Sequence, residues 1–496
     1  MELRIHSDMK YYINKIYSST VELKEFNPYT KKWRKELEKI ALVYPNKYKA
    51  GISNVGLQQM YAEVNAHEKY ICERFYSDVF EGKKSVESGT SISSFSKALF
   101  SIQYEDDYSK SVELSKFVDF RIAGGPCVME NPLPLKKFFN SFFVGEADGI
   151  IDKILNEEDV EGLYSGNGSV KRRWIELKDH LRIQIVGEGA YGRAVLLEVG
   201  RGCKRRCRFC IVRQIYNPCR WRELDLLVEV AEECRKFSDK IALIAPSPTD
   251  HPKIKELISV LVDMGYTVSP SSIRADTVDD ELIELLIGGG LKSITIAPEA
   301  GSERMREILN KGVNEEDVLH SAKIASNAGI QKVKLYFMIG LPGETERDLK
   351  EIVNLVEKIK KLIPRVSASI NPLVPKPHTP FQWLPFGGVE SKVPEENIRI
   401  LKDKMKFLKN KLSELRVDVD VGNVEKFAIQ TILSRGDEEV GEAIPPRKIN
   451  IRRFAEYLEK IDVDERLPWD FIDHGYRKRK LVAELEKTFE SIDIKK

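Results

Sequence analysis

Three of the chain's seven cysteines, Cys203, Cys207 and Cys210, fall within the short stretch Arg201-Gly202-Cys203-Lys204-Arg205-Arg206-Cys207-Arg208-Phe209-Cys210. No other segment restricts the fold as tightly, because thiols this close on one loop point to a shared metal group. The spacing is Cys-x3-Cys-x2-Cys, whereas a structural zinc site uses Cys-x2-Cys pairs and needs four ligands. No fourth ligand stands in register: Cys219 comes nine residues later and no histidine lies nearby. Three thiolates from one loop suit three corners of a cubane iron–sulfur cluster and leave the fourth iron without a protein ligand. The flanking arginines are expected to favour the thiolate form.

The residues around the loop predict a barrel. A strand over 195–199 delivers the cysteines, and strand then alternates with helix to about residue 375. Strands are predicted at 240–245, 267–269, 293–297, 332–339 and 366–371, with helices at 223–236, 251–264, 279–287, 315–327 and 346–359. Six strands with five helices fit a partial (β/α)6 barrel, and the cysteine loop falls at its C-terminal rim, where barrel sites are built.

The first part of the chain reads differently. Strands at 40–44, 120–123 and 142–144 close on Pro45, Gly124-Gly125-Pro126 and Gly145-Glu146, with helices at 55–64 and 149–155. That pattern predicts an open, Rossmann-like parallel sheet. A short amphipathic helix is expected over 33–40. Gly187-Glu188-Gly189-Ala190-Tyr191-Gly192 imitates a kinase phosphate loop. The lysine strand, His-Arg-Asp and Asp-Phe-Gly that such a loop requires are missing, so a flexible entry loop or a hairpin is expected. Beyond residue 388 the pattern is helical and charged. The predicted organisation is an arm at 1–39, the sheet domain at 40–160, a linker at 161–192, the barrel at 193–388 and a helical region at 389–496. The whole is an α/β protein.

Composition narrows the setting. Lys plus Arg number 79 against 77 Asp plus Glu, so no overall basic charge points to nucleic acid. No apolar run is long enough to span a membrane, and residues 1–10 lack the apolar core of a signal peptide. Free cysteines without a secretory signal fit a reducing, cytoplasmic setting.

Cys-x3-Cys-x-aromatic-Cys resembles the signature of the radical S-adenosylmethionine (radical SAM) enzymes. The resemblance implies a 4Fe-4S cluster on Cys203, Cys207 and Cys210, with S-adenosylmethionine (SAM) chelating the open iron. Ala297-Pro298-Glu299-Ala300-Gly301-Ser302-Glu303-Arg304 is similar to the fourth-strand motif of the branch that includes methylthiotransferases and cobalamin-domain proteins. By that resemblance Glu299 holds the ribose hydroxyls and Arg304 the methionine carboxylate, while Phe209 packs near adenine. Ile339-Gly340-Leu341-Pro342-Gly343-Glu344 resembles the family's fifth-strand turn, where Gly340 and Gly343 let the backbone approach adenine. Ala245-Pro246-Ser247-Pro248 stands where many members carry an acidic motif for the methionine amino group. Here carbonyls near the prolines would substitute.

The N-terminal half resembles the cobalamin-binding domain that precedes many radical SAM barrels, through Pro45-Asn46, Gly124-Gly125-Pro126 with Asn131-Pro132, and Val144-Gly145-Glu146. Cobalt-ligating domains carry Asp-x-His-x-x-Gly, and Asn46-Lys47-Tyr48-Lys49-Ala50-Gly51 puts Tyr48 in the imidazole's place. Both outcomes stay open: cobalamin bound without histidine, or the fold kept without cobalamin. Leu467-Pro468-Trp469-Asp470-Phe471-Ile472-Asp473 resembles the tail of an uncharacterised branch of the same group. The implied reaction is reductive cleavage of SAM to a 5′-deoxyadenosyl radical, for methylation or C–C or C–S bond formation on a lipid, tRNA or small molecule. A ferredoxin or flavodoxin would supply electrons. The rival reading is a cluster-containing electron-transfer or binding protein without turnover. His378 is expected to pack in a loop rather than act on substrate.

Overall fold

The computed structural model of the chain describes residues 13–17, 22–181, 183–388, 393–444 and 449–494; the polar segment read over 1–10 lies outside them. The first sheet is assembled from β1 (Glu38–Tyr44), α1 (Val55–Ala66), β2 (Tyr70–Tyr76), β3 (Lys97–Ser101), α2 (Tyr108–Ser115), β4 (Phe120–Gly124), α3 (Pro126–Glu130), β5 (Ser141–Phe143) and β6 (Leu163–Tyr164). Its order is β2-β1-β3-β4-β5-β6, parallel except for β6. Strand β1 is buried on both faces: Ile40 and Leu42 meet α1, while Ala41 and Val43 join the core shared with the rest of the chain. A near-continuous apolar run is what such a central parallel strand requires. Asn54 caps α1, its side chain accepting from the Leu57 N–H at 2.9 Å.

The helix expected over 33–40 does not form. Residues 38–40 are drawn into β1, which is paired on both sides, and ladder pairing there outweighs local helical periodicity. Strand β2 escaped prediction because it carries Glu73 and Arg74 inside an apolar run. Arg74 is buried, its Nε donating to Glu87 at 2.6 Å while its other end pairs with Glu25.

The barrel strands are β7 (Val195–Glu198), β8 (Lys240–Ile244), β9 (Thr267–Pro270), β10 (Ile294–Glu299), β11 (Lys332–Ile339) and β12 (Arg365–Pro372). Between them lie α4 (Leu224–Cys234), α5 (Ile254–Asp263), α6 (Asp280–Gly288), the short α7 (Glu303–Ile308), α8 (Glu315–Asn327) and α9 (Glu346–Leu362). All six predicted strands are present. They form two parallel arcs: β7-β8-β9, and β10-β11-β12 extended by β13 (Asp418–Val421). Strand β13 departs from the all-helical reading of the C-terminal region. It follows α10 (Pro394–Glu414) and precedes α11 (Val424–Arg435), so it adds one more helix–strand step to the barrel edge. Its Asp-Val-Asp-Val alternation suits an edge strand and carries little apolar signal.

The last described segment doubles back over the molecule. Ile472–Asp473 pairs with Val170–Lys171 of the linker, Phe471 stacks on Tyr164 with ring centroids 4.8 Å apart, and α12 (Lys478–Ile494) packs on α7. Trp469 is fully buried and donates from Nε1 to Gln382 Oε1 at 2.8 Å. Among the described residues no helix is long and apolar enough to cross a membrane. Trp469→Ala, which removes a buried aromatic and one of the two donors to Gln382 Oε1, is expected to cost about 3–5 kcal/mol. A lowered urea midpoint checks it; an unchanged midpoint would mean the tail is not part of the folded core.

Candidate active site

The cysteine loop leaves β7 through Gly202, whose φ is +78°. A Cβ at that position would collide with the Tyr216 carbonyl and stand 2.8 Å from that of Pro218, so the loop closes on itself only with glycine here. Three of its four arginines are committed elsewhere. Arg201 bonds both oxygens of Asp148, at 2.9 and 2.8 Å, and reaches Glu198 at 2.7 Å. Arg205 bonds Asp250 through Nε at 2.9 Å and Asp276 at 2.6 Å, and Arg208 reaches Glu484 at 3.1 Å.

This arrangement overturns the expectation that the flanking arginines ionise the thiols. Burial raises Cys207 against the lowering influence of Lys311 and Arg274. Burial, then the neighbouring Cys207, pushes Cys210 up to about 12. A metal group bound at such thiols takes them as thiolates, its positive charge offsetting the cost of burial. Among the described residues, no three His, Cys, Asp or Glu side chains are gathered as one metal ion requires. The ligands of a cubane each meet a different iron, so they have no need to meet at one point. The donor set, three thiols on one loop, fits that group.

Lys311 and Asp250 were not singled out as site residues in the sequence, whereas Arg274 was read as the one cation of the third-strand end Ser269 to Asp276. Lys311 is buried and its Nζ donates to Glu299 Oε1 at 3.0 Å. Arg274 binds the Lys311 carbonyl at 3.0 Å and Asp276 at 2.9 Å. An ion network thus runs beside the loop from Glu299 through Lys311, Arg274, Asp276 and Arg205 to Asp250. Glu299 holds φ at +68° after a register irregularity in β10, strain for a non-glycine residue that marks functional positions. A lysine just past the helix after the fourth-strand motif was the one sequence signal.

The remaining predicted residues lie under the C-terminal segment. Phe209 is part of an apolar cluster with Ala300, Met305, Trp383 and Trp469. Arg304 donates to the Gly343 carbonyl at 2.9 Å and pairs with Asp348. Gly340 and Gly343 have φ of +72° and +71°, but the backbone of Gly387 and the side chain of Ile492 occupy the space a Cβ would take. Carbonyls of the proline-rich turn accept within the chain: Ser271 Oγ donates to Ala245, the Asp250 N–H to Ser247 and the His251 N–H to Pro248. His378 packs as expected, buried, bonding the Glu130 carbonyl at 3.0 Å and meeting His474 edge-on.

Between the first sheet and the barrel lies a cavity of about 380 Å³. Leu99, Ile122 and Phe143 wall it on the sheet side, and Arg201, Gly202 and Pro246 border it on the barrel side. It opens at the C-terminal ends of strands next to the reversal between β1 and β3, where such sheets bind ligands. Glu63 on α1 lines it, accepting from Gln59 Nε2 at 2.6 Å and from the Gly149 N–H at 3.0 Å. Tyr48 does not face it. That phenol is buried and donates to Glu25 at 2.8 Å, so it is unavailable as the group standing in for an imidazole. None of the described histidines lines the cavity. The glycine-rich motif is the expected hairpin, Glu188–Gly189 pairing with Gly192–Arg193.

A family model described as the Radical SAM superfamily matches residues 197–356, and one described as Radical SAM proteins, N-terminal, matches 56–161. The chain belongs to the radical SAM superfamily, whose cofactors are a 4Fe-4S cluster and SAM. The uncharacterized protein MJ0966 of Methanocaldococcus jannaschii is 41% identical over 428 residues, spanning 82% of this chain and 91% of that protein. The ribosomal protein uS12 methylthiotransferase RimO of Clostridioides difficile is 21% identical over 298 residues, 56% of this chain and 65% of its own. The radical SAM methyltransferase TsrM of Kitasatospora setae, solved with cobalamin and a 4Fe-4S cluster, superposes with a TM-score of 0.53. It covers 70% of this chain and 77% of its own at 14% identity, a likeness of fold alone.

Burial raises Glu63 to about 7 from an ordinary 4.5, so the folded chain holds its proton more tightly than the unfolded chain. The unfolded carboxyl ionises first, so this residue's contribution falls as pH rises from about 4.5 through about 7. Glu87, Asp107 and Glu130 are raised by burial too and titrate in or near that window. The check is therefore a difference: Glu63→Gln should lose less urea stability than the parent between these pH values. Parallel pH profiles would refute the assignment.

Proposed function

We propose that Cys203, Cys207 and Cys210 hold the cluster and that the enzyme cleaves SAM reductively to modify an unactivated carbon by methylation or by C–C or C–S bond formation. The observation that carries this reading is the three-thiol loop, which follows the first barrel strand and whose flank, Arg201 and Gly202, borders the cavity. When bound, the cluster with SAM supplies a 5′-deoxyadenosyl radical and methionine. The chain's own residues hold and shield. Gly202 sets the loop's turn, and Arg205 and Arg208 tie it to the barrel rim and to α12. Glu299 faces the ribose hydroxyls by exchanging its Lys311 partner for them. Phe209 offers an apolar surface to adenine, backed by the cluster of Ala300 and Trp469, and the C-terminal segment keeps water from that side. Arg304 is already engaged by Asp348 and the Gly343 carbonyl, so its assignment to the methionine carboxylate rests on the motif. Gly340 and Gly343 stay candidates for adenine on the same ground.

The cavity is the place for the substrate or a second cofactor. The cobalamin named for TsrM is the second-cofactor reading, favoured by the sheet order and by glycine-lined strand ends at Gly124, Gly125 and Gly145. Among the described residues no histidine lines the cavity to meet that cobalt, and Tyr48 is turned to Glu25. Retention of a corrin spectrum after desalting supports it; loss of the corrin bands overturns it. The methyl- and methylthio-transferring relatives favour a one-carbon or sulfur addition, with a lipid, tRNA or small molecule as substrate and a low-potential ferredoxin or flavodoxin as donor.

Anaerobic reconstitution with iron, sulfide, SAM and dithionite tests the core claim. The expected products are 5′-deoxyadenosine and methionine, and their absence from protein with a full cluster would favour the electron-transfer or binding reading. Serine at Cys203, Cys207 or Cys210 should each abolish turnover and lower bound iron. Cys219→Ser should keep both, because Cys219 lies beside the loop's base rather than in the triplet; loss of iron there would show that the ligand set is misassigned.

A further inference from the structure

A buried lysine stands between the cysteine loop and the fourth barrel strand. Lys311 follows α7, whose last turn is bonded to the loop: the Arg208 N–H donates to the Leu309 carbonyl at 2.9 Å, and its Nη1 to the Ile308 carbonyl at 2.9 Å. The Lys311 Nζ donates to Glu299 Oε1 at 3.0 Å, and Arg274 holds the Lys311 carbonyl at 3.0 Å. Two of the loop's own cations are offset by carboxylates, Arg205 by Asp250 and Asp276 and Arg208 by Glu484, and Arg206 is exposed to solvent. Arg208 is the residue after Cys207, so its bonds to Leu309 and Ile308 hold the segment that carries Lys311, and with it Glu299, against the cysteine loop.

We propose that Lys311 and Glu299 together set the reduction potential of the group held by Cys203, Cys207 and Cys210, Lys311 favouring the reduced state and Glu299 opposing it. The inference rests on the cluster assignment made above. Reduction by the low-potential donor adds one electron, hence one negative charge; no bond is made or broken and no proton moves. A fixed charge buried a short distance away is weakly screened, so it shifts that equilibrium. Lys311 is a charge-setting residue: it is buried on the segment bonded to the cysteine loop, and its partner Glu299 is the residue expected to meet SAM. Binding of SAM at Glu299 would release the ammonium from its counter-charge, which couples substrate binding to easier reduction.

The test is a redox titration of reconstituted protein without SAM, followed by the electron paramagnetic resonance signal of the reduced cluster, with iron content measured in each sample. Lys311→Met is expected to lower the midpoint by at least a tenfold change in the equilibrium constant, about 59 mV for a one-electron couple. Glu299→Gln should move it upward, and Lys311→Arg should stay near the parent. Opposite shifts identify charge, because structural loosening has no reason to reverse sign. The proposal is overturned if either variant keeps full iron and the parent potential, or if both move the same way. Should Lys311→Met fail to hold iron, Glu299→Gln decides: a raised potential supports the inference and an unchanged one refutes it. A parent protein with no reduced-cluster signal at all would instead refute the cluster assignment, and this inference with it.

Discussion

Arginines of the cysteine loop and its return strand are bound by carboxylates from distant parts of the chain. Arg201 meets Asp148, Arg220 meets Glu146, Arg205 meets Asp250 and Asp276, and Arg208 meets Glu484. These partners belong to the first sheet's edge, to the turns after β8 and β9, and to the C-terminal helix. Pairs this buried add little net stability, since desolvation offsets the attraction, but leaving one charge unpaired is costly. They therefore act as registers. The loop has one position relative to the sheet, both barrel arcs and the tail, and any other position strands a buried charge.

That tying also shapes the thiol site itself. The loop is closed by Gly202 and by bonds from Arg208 to α7, so its form depends on protein contacts, while Cys207 and Cys210 are left reluctant to ionise. A site with this imbalance favours a cationic cluster, whose charge offsets what burial makes expensive. The cavity beside it is walled by apolar strand residues and by charges that are largely paired. Burial would raise Glu198, but Arg201 and Arg222 outweigh it and hold it down at about 2. Glu63 differs, since its partners are the neutral donors Gln59 and the Gly149 N–H.

The tail was the least legible part. Its motif around Trp469 was visible, yet nothing in the residues announced that Ile472–Asp473 would join the linker or that Ile492 would fill the space beside Gly343. Such contacts pair segments hundreds of positions apart and leave no periodic trace. Strand β2 was hidden for a related reason: Glu73 and Arg74 read as a loop until Glu25 and Glu87 arrive to neutralise Arg74. Gly340 and Gly343 were read for a close approach to adenine, and the fold places Gly387 and Ile492 close beside them, neighbours that the motif did not announce.

By itself the sequence determined the parallel strands of the barrel, the open sheet before it and the cysteine triplet, because periodicity and short-range ligand spacing are local properties of a chain. Tertiary structure alone decided which charges surround the thiols. Lys311 at Glu299, Arg205 between Asp250 and Asp276, and Tyr48 turned to Glu25 are pairings across the fold. The electrostatic balance of a buried site is a sum over neighbours in space, and those neighbours exist only once the chain has closed on itself.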